Sequence, residues 1–114
     1  MQPSQPSGGP ILRLFEVKAK AGCAETLLQK FATTSAEVVS GQPGNAGYFF
    51  GQGLAGAEDV VVFASLWRDM DAVKARFGAD WLSSYLPPGY EDLIESCSVR
   101  HLDLSAGWHV QLDE

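Results

Sequence analysis

The sequence predicts an α+β domain of ferredoxin-like β-α-β-β-α-β order, built on an antiparallel sheet. Three observations predict it. Val60–Trp67, VVVFASLW, is a run of β-branched and aromatic residues of strand length, and Met70–Phe77 follows it as a short helix ended by Gly78. Cys23 to Ser40 carries an apolar stripe at three- and four-residue steps, the period of a long amphipathic helix. The remaining apolar runs alternate with a period of two, as strands do.

Taken in order, residues 1–10 are Pro, Ser, Gln and Gly apart from Met1, which predicts a disordered tail. Ile11–Lys20 is the first strand. Ile11, Arg13, Phe15 and Val17 share one face, and Leu12, Leu14, Glu16 and Lys18 share the other. Ala21-Gly22 turns the chain into the long helix, whose stripe is Leu27, Leu28, Phe31, Ser35, Val38 and Val39. The run Gly41-Gln42-Pro43-Gly44-Asn45 stops that helix.

Ala46–Leu54 is the second strand, with Tyr48, Phe50 and Gln52 on one face and the glycines with Phe49 on the other. Ala55–Asp59 makes a hairpin back to Val60–Trp67. Its GQGLAG spells a dinucleotide-binding pattern, but it leads into a strand rather than a helix N-terminus, so no phosphate site is expected. Asp69 is placed to cap the Met70–Phe77 helix, and Asp71 sits in its first turn. Asp80–Leu86 reads as a further helical piece, broken by Pro87-Pro88-Gly89, and Tyr90–Glu95 as one more turn. Cys97–Leu104 is the last strand. The folded domain thus spans residues 11–104, and 105–114 is a tail that either packs across a neighbouring subunit through Trp108 or is disordered.

Composition narrows the function classes. At 114 residues the chain makes one domain, and 46% hydrophobic residues with only 19% charged ones supply a core. A net charge of −6 excludes the basic footprint that nucleic acid or an anionic membrane surface requires. No apolar run approaches the roughly 18 residues of a membrane span. The N-terminus lacks a signal-peptide pattern, and Cys23 and Cys97 read as reduced thiols, which together predict a cytoplasmic protein. Histidine occurs only at 101 and 109, and no Cys/His cluster has metal-ligand spacing, so neither a metal site nor a cofactor is expected.

Large apolar residues fall on both faces of the strands, and two helices can hide only one. A bare apolar sheet would be a large exposed patch. A second copy of the chain is the economical cover, so a homodimer joined sheet to sheet is expected.

The stretches ILRLFEVKAKAG, QPGNAGYFF and, above all, VVVFASLWRDMDAVKARFG resemble the antibiotic biosynthesis monooxygenase domains of the dimeric α+β barrel superfamily. The segment from Phe77 to Leu104 resembles a related subgroup of small bacterial proteins, with a Phe-Gly pair after the second helix and a His in the last strand. The resemblance covers about residues 11–104 and implies a dimeric α/β barrel. It also implies an oxidoreductase activity of the cofactor-independent monooxygenase kind, on a small aromatic or polyketide-like substrate. A non-catalytic ligand-binding or stress-response module of the same fold is the alternative. The haem-degrading branch is disfavoured: its first-strand Asn falls on Phe15, its helix Trp near Arg76 or Phe77, and its axial His near Tyr85 or Leu86.

The residues that could carry chemistry are few. His101 shares a face with Val99 and Asp103 and is the one strand side chain that titrates near neutrality, so it could act as a base. Arg13, between apolar neighbours, needs a partner: either an acid such as Asp103, or Glu16 of another subunit, or an anionic or enolate ligand oxygen. Phe15, Tyr48, Phe50, Phe63, Trp67, Phe77, Trp81 and Tyr85 supply aromatic walls for a small aromatic ligand, or core.

Overall fold

The computed structural model describes residues 9–109 and 111. The expected tail over residues 1–10 lies outside them except for Gly9 and Pro10, and the end of the C-terminal tail lies outside them as well. Four strands form one antiparallel sheet: β1 (Ile11–Ala19), β2 (Asn45–Gln52), β3 (Val60–Trp67) and β4 (Ile94–Asp103), in the order β2-β3-β1-β4. The ferredoxin-like α+β reading is therefore correct. The helical layer is α1 (Ala24–Lys30), a π-helical stretch Phe31–Ser35, α2 (Ala36–Val39) and, after β3, α3 (Met70–Phe77). Among the described residues no helix is long and apolar enough to cross a membrane.

Register decides what meets what. Arg13 of β1 pairs with Ser65 of β3 on one side and His101 of β4 on the other. Phe15 pairs likewise with Phe63 and Val99. Odd-numbered residues of β1 and β3, and of β4 from Cys97 onward, thus share the inner face, under the helices, with Tyr48, Phe50 and Gln52 of β2. The core sits there: Val17, Leu27, Phe31, Val61, Trp67 and Val73 are fully buried. Each such side chain contributes about 1.5–3 kcal/mol. Phe31 is its aromatic centre, with ring centroids 6.0, 6.3 and 5.5 Å from those of Phe15, Phe50 and Phe63.

The ends of α3 follow the local chemistry. The Asp69 carboxylate accepts from the Ala72 N–H at 2.9 Å, and Gly78 closes the helix at φ 72°. Gly44, at φ 84°, lies where any Cβ would stand 2.5 Å from the methyl of Ala72, so this position in the turn before β2 admits no side chain.

Two expectations change. The long helix is not uniformly α: it widens to π register over Phe31–Ser35, which brings both Ser35 and Ala36 to the buried side. The piece expected as a helix over Asp80–Leu86 is a 3-10 turn, Gly78–Asp80, followed by irregular chain. The carbonyls of Trp81 and Ser83, which a helix would use internally, are taken instead by Arg13.

Candidate functional site

A small cleft of about 40 Å³, open to solvent, lies between the inner sheet face and the helical layer. Its floor is Arg13 and Phe15 of β1 with Phe63 and Ser65 of β3. Ser35, Val38 and Val39 form the helical wall, Phe77 the end of α3, and Tyr85 with Pro87 the loop that rims it. The walls are mainly apolar, and the polar groups among the described lining residues are Arg13, Ser35, Ser65 and the Tyr85 hydroxyl.

Arg13 is only 4% exposed. Its Nη1 donates to the Trp81 carbonyl at 2.6 Å and faces His101 Nε2 at 3.1 Å, and Nη2 donates to the Ser83 carbonyl at 3.1 Å. The guanidinium carbon stands 3.8 Å from the centroid of the Phe77 ring, a close cation–π contact. Burial pulls its pKa down to about 10, so it remains a cation at neutral pH. The ion pairs among the described residues are Lys18–Glu95, Arg68–Asp69 and Arg100–Glu16, and none involves Arg13. The expected pairing with Asp103 does not form within this chain: that carboxylate is engaged by Ser105. Arg13 is therefore a buried positive charge without a counter-ion among the described residues, a costly arrangement unless an anion completes it.

His101 is the cross-strand neighbour of Arg13, so the two residues singled out as catalytic are in contact. A guanidinium can only donate, which fixes His101 Nε2 as the acceptor and the imidazole as the neutral Nδ1–H tautomer. Burial first, and the charge of Arg13 second, lower its pKa from the ordinary 6.5. Trp81 packs edge-on against it at 5.1 Å. His101 does not line the cleft. It stands behind Arg13, and the lone pair a base would need is occupied by that residue.

The expected aromatic walls divide. Phe15, Phe63, Phe77 and Tyr85 line the cleft. Tyr48 and Phe50 stack on Phe63 from the edge strand, with centroids 5.6 and 6.1 Å away, and do not reach the cleft. Trp81 contributes its backbone carbonyl to Arg13, not its ring to the cleft. Trp67 is fully buried in the core, edge-on to Phe77, and its indole N–H donates to Ser65 Oγ at 2.8 Å.

Sequence reasoning missed the two serines. Ser65 is the only polar residue in VVVFASLW and shares the inward parity of Arg13, a signal that was available. Ser35 had no such signal beyond its place in the helical stripe. Its hydroxyl lies 2.6 Å from that of Tyr90, which donates to the Lys30 carbonyl at 3.1 Å. Burial raises the Tyr90 pKa, so the phenol keeps its proton for that bond. Ser35 then donates to Tyr90 and offers only lone pairs elsewhere.

Comparison with solved structures gives the same fold. A Pseudomonas aeruginosa protein superposes with a TM-score of 0.65 at 19% identity, covering 87% of this chain and 97% of its own. A haem-degrading protein from Mycobacterium tuberculosis gives 0.64 at 19% identity, covering 90% and 99%. SnoaB, a cofactor-independent oxygenase from Streptomyces nogalater, gives 0.64 at 14% identity, covering 85% and 94%. These identities establish a shared architecture and no shared chemistry. No curated protein matches the chain. The family model of the antibiotic biosynthesis monooxygenases matches residues 10–82, which span both helical segments, three of the four strands and the whole cleft floor. The chain belongs to the antibiotic biosynthesis monooxygenase family.

Proposed function

We propose that this chain is a cofactor-independent monooxygenase of the cytoplasm that holds a small aromatic, acidic substrate as its anion against Arg13. One observation carries the reading: a cation 4% exposed, without a counter-ion among the described residues, lines a mainly apolar cleft. Such a site lowers the pKa of a bound phenol or enol, because it favours the charged form. The resulting electron-rich carbon can form a C–O bond with O₂. The hydroperoxide then loses its O–O bond as the second C–H proton leaves. A CH₂ becomes C=O, and O₂ ends as that carbonyl oxygen and one water. The electrons come from the substrate, so no metal or flavin is required. His101 holds the guanidinium in place, and Phe15, Phe63, Phe77 and Tyr85 sandwich the ring.

The protein is read as a homodimer. The outer sheet face carries Leu12, Leu14, Val62, Leu66, Phe49 and Leu102, the last two 58% and 40% exposed, and a second copy would cover them.

A binding role without turnover is the second reading, favoured by the engagement of His101 Nε2, which leaves no free imidazole at the cleft. Haem binding would fall to Tyr85, the one phenol among the described lining residues. Oxygen uptake with quinol and phenol substrates separates these. The monooxygenase reading expects uptake with quinone or ketone product, lost in Arg13→Met. Ligand binding without uptake supports the second reading. Binding and uptake untouched in Arg13→Met would overturn both.

A further inference from the structure

Ser65 is 2% exposed, and its hydroxyl oxygen accepts from the Trp67 indole N–H at 2.8 Å. An indole N–H can only donate, so the serine proton must point elsewhere. Among the described residues no acceptor meets it. A buried hydroxyl with an unmet proton is as unusual as a buried cation with no counter-ion. Ser65 and Arg13 are both cases, and they are direct cross-strand neighbours on one cleft floor. Such neighbours have Cβ atoms about 4.5–5.5 Å apart, close enough for both to reach one oxygen. Arg13 itself has five N–H donors, of which three are used by Trp81, His101 and Ser83. Two guanidinium N–H donors and the serine proton therefore have no acceptor among the described residues. The described cleft lining includes no carboxylate.

We propose that Ser65 is the second donor of the anion site, aimed by Trp67, so that Arg13 and Ser65 together clasp a single oxyanion of a phenolate or enolate ligand. This deepens the reading above and rests on it. Arg13 supplies charge, which any anion would satisfy. Ser65 supplies direction: its one proton, fixed by the indole, selects a ligand whose anionic oxygen lies over β1 and β3 while its ring lies among Phe15, Phe63 and Phe77. Trp67 is then a positioning residue that never touches the ligand. Ser35 stands on the opposite wall as an acceptor, so a ligand with an O–H or N–H across the ring from its oxyanion would be held at both ends.

The test uses the full chain with para-nitrophenol, whose visible absorbance reports its own ionisation, and para-nitroanisole as a neutral control. Wild type is expected to shift the ionisation of the bound phenol to lower pH. Ser65→Ala should weaken phenolate binding roughly ten-fold, the scale of one hydrogen bond to a charged group. Its binding of para-nitroanisole should be unchanged. Ser65→Thr, which keeps the hydroxyl, should restore the phenolate preference. Trp67→Phe should give an intermediate loss, because the serine then rotates freely. Should Ser65→Ala not fold, Ser65→Cys decides the same question, since a thiol is a poor donor of nearly the same shape. A phenolate affinity equal to wild type in Ser65→Ala or Ser65→Cys, alongside a loss in Arg13→Met, would overturn this proposal and reduce Ser65 to a partner for Trp67. Equal affinity in Arg13→Met as well would sink the anion site itself.

Discussion

The two faces of the sheet are made by the same strands from alternate residues, and they are opposite in kind. The inner face meets the helical layer and buries Val17, Val61 and Trp67 completely. It is closed enough to hold a charge out of water at Arg13. The outer face has no helix against it and shows Phe49 and Leu102 to solvent. It carries polar side chains only towards one end, where Glu16 meets Arg100. The contrast separates two demands. Residues of the inner face answer to stability and, in the reading proposed above, to a ligand. The apolar residues of the outer face have no helix against them among the described residues, which is the ground for the homodimer proposed above. Leu14 and Phe15, adjacent in sequence and opposite in direction, put the contrast to a direct test.

The largest effect is expected from Phe15→Ala. Phe15 is 8% exposed, packs on Phe31 and forms part of the cleft floor. Removing a ring from such a site costs about 3–5 kcal/mol, transfer and cavity terms together. Denaturant unfolding should show the midpoint fall, with ligand binding lost beside it. A cost under about 1 kcal/mol, the range of surface changes, would mean the inner face is not the core described here.

Leu14→Asp should behave in the opposite way. Leu14 is half-buried on the outer face, opposite Ala64 and Arg100. The carboxylate sits beside solvent in a single chain but would be buried without a partner between two sheets. The expected outcome is a folded monomer by circular dichroism and light scattering, where wild type runs as a dimer. Arg100 is close enough to soften the effect, so Leu66→Asp, against Leu12 and Gly47, is the harsher variant. A wild type that is monomeric at the same concentration would remove the dimer reading, and the outer face would need another occupant.

How much of this was legible beforehand follows from the physics of each element. Val60–Trp67 and Met70–Phe77 were bounded correctly because β-branched content, an Asp cap and a terminal Gly are all local signals. The two faces of β1 were legible because a period of two admits one assignment. The contact of Arg13 with His101 was not, since it depends on register between strands far apart in the chain. The loop after α3 misled for a related reason. Its composition suits a helix, but Arg13 takes the carbonyls of Trp81 and Ser83, and no local pattern announces a donor arriving from β1. The π stretch was invisible because Phe31 and Ser35 keep the spacing an ordinary helix would show.

The smallest effect separates the cleft floor from the residues behind it. His101 is half-buried and holds its pKa below 6.5 through burial and the nearby guanidinium, with Lys74 also close by over Trp81. Its folded value lies below its unfolded one, so the unfolded chain binds the proton first as pH falls. The contribution to stability is complete above about 6.5, declines as pH drops through that value, and stops changing once the folded imidazole protonates too. The imidazolium can no longer accept from Arg13, so the same protonation should loosen the hold on Trp81 and Ser83 and make the loop with Tyr85 and Pro87 more mobile. His101→Gln keeps an acceptor for the guanidinium and cannot titrate. Thermal unfolding from neutral pH down to the edge of the carboxylate range should therefore slope in wild type and flatten in His101→Gln. Identical slopes in the two would show that the imidazole is not held neutral by Arg13, and would return its lone pair to the list of groups able to take a proton from the ligand.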